Sequence, residues 1–156
     1  MRVASAVLIV LILMSGAGCA GVLLPPGGEH FYSQARGDTG LQTALNLATM
    51  MEESIRQAKA EPVEEVAGLT DLHAQLHALH RAFDEMTDSQ ASRPASITAV
   101  TLRKDLVTVF YRLGRFREDR ALRDLHLDLF AARLQELRQA LQAVESEGSR
   151  NGLRLP

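Results

Sequence analysis

The sequence predicts an all-α protein: an antiparallel up-and-down four-helix bundle that follows an N-terminal apolar segment and a flexible tether. Apolar residues recur at alternating steps of three and four along four stretches between residues 41 and 147, which is the period of an amphipathic helix. Proline, glycine or polar residues separate these stretches. The predicted core is aliphatic, because the chain has no Trp, two Tyr and five Phe.

The N-terminal segment has the pattern of a secretion signal. Arg2 is followed by an apolar run over residues 3–14 and by small residues that end at Cys19. A charged start, an apolar centre and small residues before a cleavage position are typical of signal peptides. With a cysteine directly after the small residues, SGAGC resembles the cleavage site of bacterial lipoprotein precursors. The resemblance covers the first twenty residues and implies a signal peptide at 1–18 and lipid attachment at Cys19.

Two other interpretations of this segment stay open, since Gly16 stands where lipoprotein precursors generally carry an aliphatic residue. Residues 3–24 contain no charge, so the segment is long enough to remain as a membrane-spanning anchor, for which about 20 apolar residues suffice. Alternatively, a general signal peptidase cleaves nearby and the protein is secreted freely. In each case the rest of the chain lies outside the cytosol, because the only flanking charge, Arg2, favours the inner side.

The lipoprotein resemblance also implies a membrane. Inner-membrane lipoproteins of that class commonly carry Asp after the cysteine, and this chain has Ala20. In a Gram-negative host we therefore expect a lipid-anchored, periplasm-facing protein of the outer membrane.

Charge and cysteine content limit the classes of function. Cys19 is the only cysteine, so no disulfide forms within the chain and the fold depends on its core. Cleavage before Cys19 leaves 138 residues, enough for one domain. A net charge of −2 gives no electrostatic basis for binding nucleic acid. Because glycine-rich phosphate loops and GxSxG motifs are absent from the sequence, we predict that the protein is not an enzyme.

Residues 19–40 predict a lipidated cysteine followed by a flexible tether. The stretch contains Pro25, Pro26 and five glycines, and it shows neither the helical nor the strand period. Within it, residues 30–32 (His, Phe, Tyr) are expected to pack back onto the domain.

The first predicted helix of the bundle spans residues 41–60. Thr39 or Asp38 is its N-cap, and Pro62 sets its end because proline disfavours a helical conformation of the preceding residue. Glu52 and Arg56, four residues apart, predict an ion pair on its outer side. Its apolar stripe comprises Leu41, Ala44, Ala48, Met51, Ile55 and Ala58.

The second helix has the most regular pattern and follows residues 61–68, which form a loop or a short helical turn. Its apolar residues are spaced 3, 4, 3, 4 and 3 apart, which predicts a seam like that of a coiled coil. This seam comprises Leu69, Leu72, Leu76, Leu79, Phe83 and Met86. A polar loop is predicted at 88–94.

The third predicted helix runs from about residue 95 to 113. Its β-branched residues lower helix propensity, but the apolar spacing favours a helix over a strand. Gly114 either ends this helix in a tight turn or kinks one long helix, in which case the stripes would pair between two molecules. The stripe comprises Ala99, Leu102, Leu106, Val109, Leu113 and Phe116, with Val107 and Phe110 at its edge.

The fourth predicted helix starts with an Asp119–Arg123 pair and continues to about residue 146. Gly148 is expected to end it, and residues 148–156 are predicted to be a disordered tail. Its main stripe comprises Leu127, Phe130, Leu134, Leu137, Leu141 and Val144. A second stripe of Leu122, Leu125 and Leu129 predicts a broad apolar face with two neighbouring helices, and His126 on this face is expected to be a hydrogen-bonded core residue.

The second helix also carries the one dense set of chemically active side chains. His73, His77, His80 and Asp84, called the histidine row below, lie along one side of the helix within an arc of about 60°. Histidines four apart can share a divalent transition-metal ion, so His73, His77 and His80 are candidate metal ligands, with Asp84 as a further ligand or a hydrogen-bond acceptor. The row lies about 100° from the leucine seam and flanks the core. The alternative is a row of ordinary half-exposed residues, because HxxxH lacks the glutamate of the HExxH zinc motif.

Two functions from different classes follow from these features. The first is a membrane-anchored accessory or adaptor protein of the cell envelope, which would expose an apolar patch of several hundred Å² to a protein partner. The second is a periplasmic metal-binding or metal-sensing bundle that uses the histidine row. Self-association through the second helix is a further alternative. The first function is preferred because it requires no additional site, and we expect no cofactor beyond the metal of the second.

Overall fold

The computed structural model describes residues 26–62, 67–86, 93–113 and 119–152, and every regular element in these ranges is a helix. The helices are α1 (Pro26–Ala35), α2 (Gly40–Ala60), α3 (Ala67–Asp84), α4 (Pro94–Leu113) and α5 (Arg120–Gly152). The all-α prediction is confirmed for these residues. No helix within them is both long and apolar enough to cross a membrane. The predicted signal peptide, Cys19, Gly114 and Phe116 lie outside the described residues.

Helix α2 forms where the sequence predicts it. Thr39 has extended backbone and caps the helix, because its hydroxyl accepts the Gln42 N–H at 3.1 Å. The helix ends before Pro62, and Glu61 closes it by donating its backbone N–H to the Gln57 carbonyl at 3.0 Å. Every residue of the predicted stripe is buried.

The predicted Glu52–Arg56 pair is wrong. Arg56 pairs with Glu53, while Glu52 accepts hydrogen bonds from Arg138 of α5 at 3.0 and 3.1 Å. Glu52 lies on the side of α2 that faces α5, where a long arginine side chain competes with the i, i+4 neighbour. The pair therefore joins two helices instead of supporting one.

Helix α1 corrects, over residues 26–35, the prediction that residues 19–40 form a tether without helical structure. Pro26 occupies its first position, where the missing N–H costs no helical hydrogen bond. Tyr32 and Ala35 are buried, Phe31 packs partly against the core and His30 is exposed, so the expected packing of residues 30–32 is confirmed for the two aromatic side chains. A ten-residue helix is marginal by itself, and its packing on α3 and α2 stabilises it.

Helices α2 and α3 run in opposite directions. Gly68, near the start of α3, lies against Ala58 near the end of α2, and Gly40, at the start of α2, lies against Ala82 near the end of α3. A side chain in place of either glycine hydrogen would meet backbone atoms of the other helix. The predicted seam of α3 is buried from Leu69 to Phe83, and Met86, beyond the helix end, is half-buried.

Helix α5 packs on α2 and more extensively on α4. Lys59 and Arg138 connect α2 and α5: Lys59 bonds to Asp128, and Arg138 bonds to Glu52. Residue numbers rise along α5 as they fall along α2, so these helices are also antiparallel. The main stripe of α5 is buried, as are Ala99, Leu102 and Leu106 of α4.

The predicted start of α5 is correct in position but wrong in its ion pair. Asp119 caps the helix with its side chain, which accepts the Leu122 N–H at 3.0 Å. Arg123 instead points inward: it is 1% exposed and donates to the carbonyl oxygens of Glu61 and Pro62. The guanidinium thus binds the end of α2, while its Nε lies 3.6 Å from the Asp124 carboxylate on its own helix.

Two further predictions for α5 are corrected. The helix continues through Gly148 to Gly152, because an exposed glycine inside a helix costs only about 1 kcal/mol and does not force an end. The second stripe is not buried, since Leu125 is 54% and Leu129 is 48% exposed. Leu122 of the same stripe is half-buried, at the edge of the core.

Candidate functional site between α3 and α4

The histidine row lies on the side of α3 that faces α4. The leucine seam, about 100° away around the helix, is buried, so the row is left at the margin of the core. His73 and His77 are half-buried, whereas His80 and Asp84 are exposed. The prediction that the row flanks the core is confirmed.

His73 and His77 form a close pair. Their Nε2 atoms are 3.2 Å apart, their ring centroids are 4.7 Å apart, and the ring planes are inclined by 81°. Residues four apart on a helix project from adjacent turns toward the same point, which explains the approach. When both imidazoles are uncharged, one ring can donate its Nε2–H to the Nε2 of the other.

Phe110 of α4 fixes the orientation of His73. The two rings are stacked, with centroids 5.2 Å apart and planes inclined by only 13°. Along the same interface, Arg103 of α4 lies over the ring of Phe83 on α3. Contact with α4 therefore restricts the first imidazole of the pair.

His80 belongs to a second pair. Its Nδ1 lies 3.1 Å from a carboxylate oxygen of Asp84. Of the three histidines in the row, Asp84 pairs with His80. Among the described residues, no three His, Cys, Asp or Glu side chains are placed to hold one metal ion. The structure thus divides the predicted row into His73–His77 and His80–Asp84.

The environment of His77 favours its uncharged form. Burial lowers the pKa of His77, and the neighbouring His73 and His80 lower it further, because a positive charge on one imidazole opposes a charge on the next. Neutral imidazole is the form that binds metals.

A cavity of about 250 Å³ lies beside the histidine pair. It exists because α3 and α4 touch each other less extensively than the other neighbouring helices do. Tyr111, which is 66% exposed, adds an aromatic wall. The lining residues are His73, Leu76, His77, His80, Val107, Phe110 and Tyr111.

Sequence reasoning missed part of this site. Val107 and Phe110 were expected only to widen the apolar face of their helix, and nothing in the spacing indicated that Phe110 would stack on a histidine. Tyr111 had no periodic signal, because it lies on the exposed side of α4. His126, the predicted core histidine, is half-buried on α5.

A second polar cluster attaches α1 to α3. The Tyr32 hydroxyl donates to the Glu85 carboxylate, and the Arg81 guanidinium lies 4.0 Å from the centre of the Tyr32 ring. Arg81 also donates to both carboxylate oxygens of Glu29 at 2.7 and 2.8 Å. The partners lie about fifty residues apart, so no local sequence pattern predicts the cluster. Its role is to hold α1 in place.

Comparison of the chain with known protein families, with curated proteins and with solved structures finds no match.

Proposed function

We propose that this protein is a membrane-anchored accessory or adaptor protein of the cell envelope that binds a protein partner through one helical face. The observation that carries the proposal is an exposed apolar stripe on α5. The role is one of binding and not of catalysis.

The α5 stripe comprises Ala121, Leu125, Leu129 and Ala132, all exposed. Steps of 4, 4 and 3 place these residues within an arc of about 80° on the solvent side of the helix. Two leucines about half exposed on adjacent turns are not needed for the core, which the main stripe on the other side already fills. Exposed apolar patches on folded domains often mark protein interaction sites, and anchors at i and i+4 are typical of helix recognition by a groove or a second helix.

The anchor is proposed to be a lipid on Cys19, from the resemblance of SGAGC to lipoprotein precursors. Helix α1 begins seven residues after Cys19. Seven residues span at most about 25 Å in any conformation. The lipid would therefore hold the helical domain close to the bilayer surface, with its outer membrane location proposed from Ala20.

The arrangement proposed for residues 41–147 is an antiparallel up-and-down four-helix bundle of α2, α3, α4 and α5, with α1 on its outside. The opposite directions of α2 relative to α3 and of α2 relative to α5 support it. The contacts between α3 and α4 also support it. His73 contacts Phe110 and Phe83 contacts Arg103, so residue numbers rise along α3 as they fall along α4, as in antiparallel helices. In such a bundle the outer face of α5 stays free for a partner.

The anchoring step is tested by replacing Cys19 with alanine. Cells that produce the protein are labelled with radioactive palmitate, and their membranes are separated. The expected result is incorporation of the label into the wild type and none into Cys19→Ala. Membrane retention of an unlabelled wild type would contradict lipidation and favour an uncleaved helical anchor.

The partner face is tested by photo-crosslinking in the same cells. A photoreactive amino acid at position 129 is compared with one at Ile97, which is at least as exposed, on α4, but lies outside the α5 stripe. The expected result is a crosslink to one other protein from position 129 and not from position 97, and its loss in Leu125→Ser. Equal crosslinking at both positions, or a product that contains only this chain, would contradict a separate partner; the latter would establish self-association.

A further inference from the structure

We propose that His73 and His77 form a chelate for one divalent transition-metal ion beside the cavity between α3 and α4. This inference is independent of the adaptor role and concerns a different face of the protein. It takes two members of the histidine row as ligands and excludes the other two.

The spacing of the two nitrogens carries the argument. Metal–imidazole bonds are about 2.0–2.1 Å long, so two nitrogens on one ion at an angle between octahedral and tetrahedral values lie about 2.9–3.4 Å apart. The Nε2 atoms of His73 and His77 are 3.2 Å apart. The ring centroids are farther apart, at 4.7 Å, so the rings diverge behind their Nε2 atoms, as two ligands of one ion do. An ion can therefore enter between them with little movement of either ring.

The surroundings keep this geometry in place before a metal arrives. Both residues are on one rigid helix, and Phe110 stacks on His73 from α4. Both side chains are half-buried and have lost part of their rotamer freedom on folding. Less ordering entropy then remains to be lost on binding.

His80 is not a ligand in this proposal. Its Nδ1 is already held by Asp84 at 3.1 Å, and no three-residue metal-ligand group forms among the described residues. The ion would be bound by two protein nitrogens, and water or a partner's side chain would complete its coordination. Two imidazoles select Zn²⁺, Cu²⁺, Ni²⁺ or Co²⁺ over Mg²⁺ and Ca²⁺, which prefer oxygen ligands.

The test is a calorimetric titration of the full chain, purified without a histidine tag in detergent, with zinc chloride. Saturable binding of one ion per chain is expected, with no binding of magnesium chloride. His73→Ala and His77→Ala should each weaken zinc binding by at least about tenfold, since loss of an outer-shell partner alone costs 10–100-fold. His80→Ala, the matched control on the same helix, should bind as the wild type does.

Three outcomes would overturn the proposal: no saturable zinc binding, binding that neither His73→Ala nor His77→Ala weakens, or an equal loss in His80→Ala. The last would establish a site formed by the whole row. A measurement on the unmutated protein avoids any effect of misfolding: zinc should shift the ¹⁵N resonances of Nε2 in His73 and His77 and leave those of His80 unchanged. Zinc binding leaves the palmitate and crosslinking results unaffected, so failure of one proposal is distinguishable from failure of the other.

Discussion

Arg123 donates a hydrogen bond to the main-chain carbonyl of Glu61 at 3.1 Å, while both oxygens of the Glu61 carboxylate accept the N–H of Gly68 at 3.1 Å. Glu61 thus contacts three helices, and these contacts are called the Glu61 joint below. Its backbone N–H closes α2, its side chain caps the start of α3, and its carbonyl oxygen accepts a hydrogen bond from α5. The charges suit these positions, because a cation is favourable at the end of a helix and an anion at the start. Glu61 therefore links two consecutive helices to a third, α5, about sixty residues later in the chain.

Arg123→Ala should destabilise the protein strongly. The substitution leaves the buried carbonyl of Glu61 and the partly buried carbonyl of Pro62 without their donor and opens a cavity, so a loss of about 2–4 kcal/mol in the free energy of unfolding is expected. Urea denaturation measures it. Arg120→Ala, an exposed arginine one turn earlier, should change the free energy by less than about 0.5 kcal/mol. Equal effects would show that the Glu61 joint does not contribute.

Two Gly→Ala substitutions should have opposite effects. A Cβ at Gly68 would lie 2.7–2.9 Å from backbone and Cβ atoms of Ala58, so Gly68→Ala must push α2 and α3 apart, at a cost of about 1–3 kcal/mol. At Gly148 no described atom lies within 4 Å of the new methyl group. Because alanine favours helix, Gly148→Ala should stabilise the protein by about 0.5–1 kcal/mol. Thermal unfolding followed by circular dichroism compares the two, and stabilisation by both would contradict the close α2–α3 contact.

Ser54 and Gln75 provide a test of buried polar pairing. The Gln75 amide donates to the Ser54 hydroxyl at 2.9 Å, and both side chains are buried between α2 and α3. Ser54→Ala leaves the amide without this acceptor and should cost about 1–3 kcal/mol. The double variant Ser54→Ala, Gln75→Leu removes both polar groups and should recover most of that loss. A double variant less stable than Ser54→Ala would contradict the interpretation, and chemical denaturation measures all three proteins.

Tyr32 should ionise only at unusually high pH. Burial raises the pKa of Tyr32 above its ordinary value of 10.0, and the hydrogen bond to Glu85 and the charge of that carboxylate raise it further. Because its pKa is raised on folding, neutral Tyr32 contributes its full stabilisation of the folded protein below pH 10. This contribution is lost as the pH rises through the pKa that Tyr32 has in the folded protein. Helix α1 should therefore release from α3 in strong base.

The chain has two tyrosines, so each can be followed alone. In Tyr111→Phe, the ultraviolet absorbance of phenolate reports Tyr32 and should rise only above pH 10. In Tyr32→Phe the same measurement reports the exposed Tyr111. An ordinary titration of Tyr32 in the folded protein would contradict its burial against Glu85.

The sequence predicted the long helices well because their signal is local. The stripe of α2 and the main stripe of α5 are buried throughout, since repetition at steps of three and four over twenty residues leaves one face that must avoid water. The same reasoning failed for Leu125 and Leu129, which follow the period but are not covered by any of the helices α1 to α4 that the structure describes. Periodicity states which residues share a face, and neighbouring helices determine whether that face is buried.

The candidate site was predicted in part. Spacing placed the histidine row on one side of α3, because helical geometry alone determines it. The division of the row into His73–His77 and His80–Asp84 depends on side-chain rotamers and on Phe110, which arrives from another helix. His73 and Phe110 can both be read from the sequence, but the sequence does not show that their rings stack.

The sequence by itself determined the all-α class, the starts of α2 and α5 and most of the buried residues, because each depends on interactions within a few turns of chain. Only the tertiary structure decided that residues 26–35 are helical, that Arg123 serves Glu61 and that α3 and α4 enclose a cavity. These features join residues dozens of positions apart. Their stability comes from burial and pairing between helices, which no local pattern records.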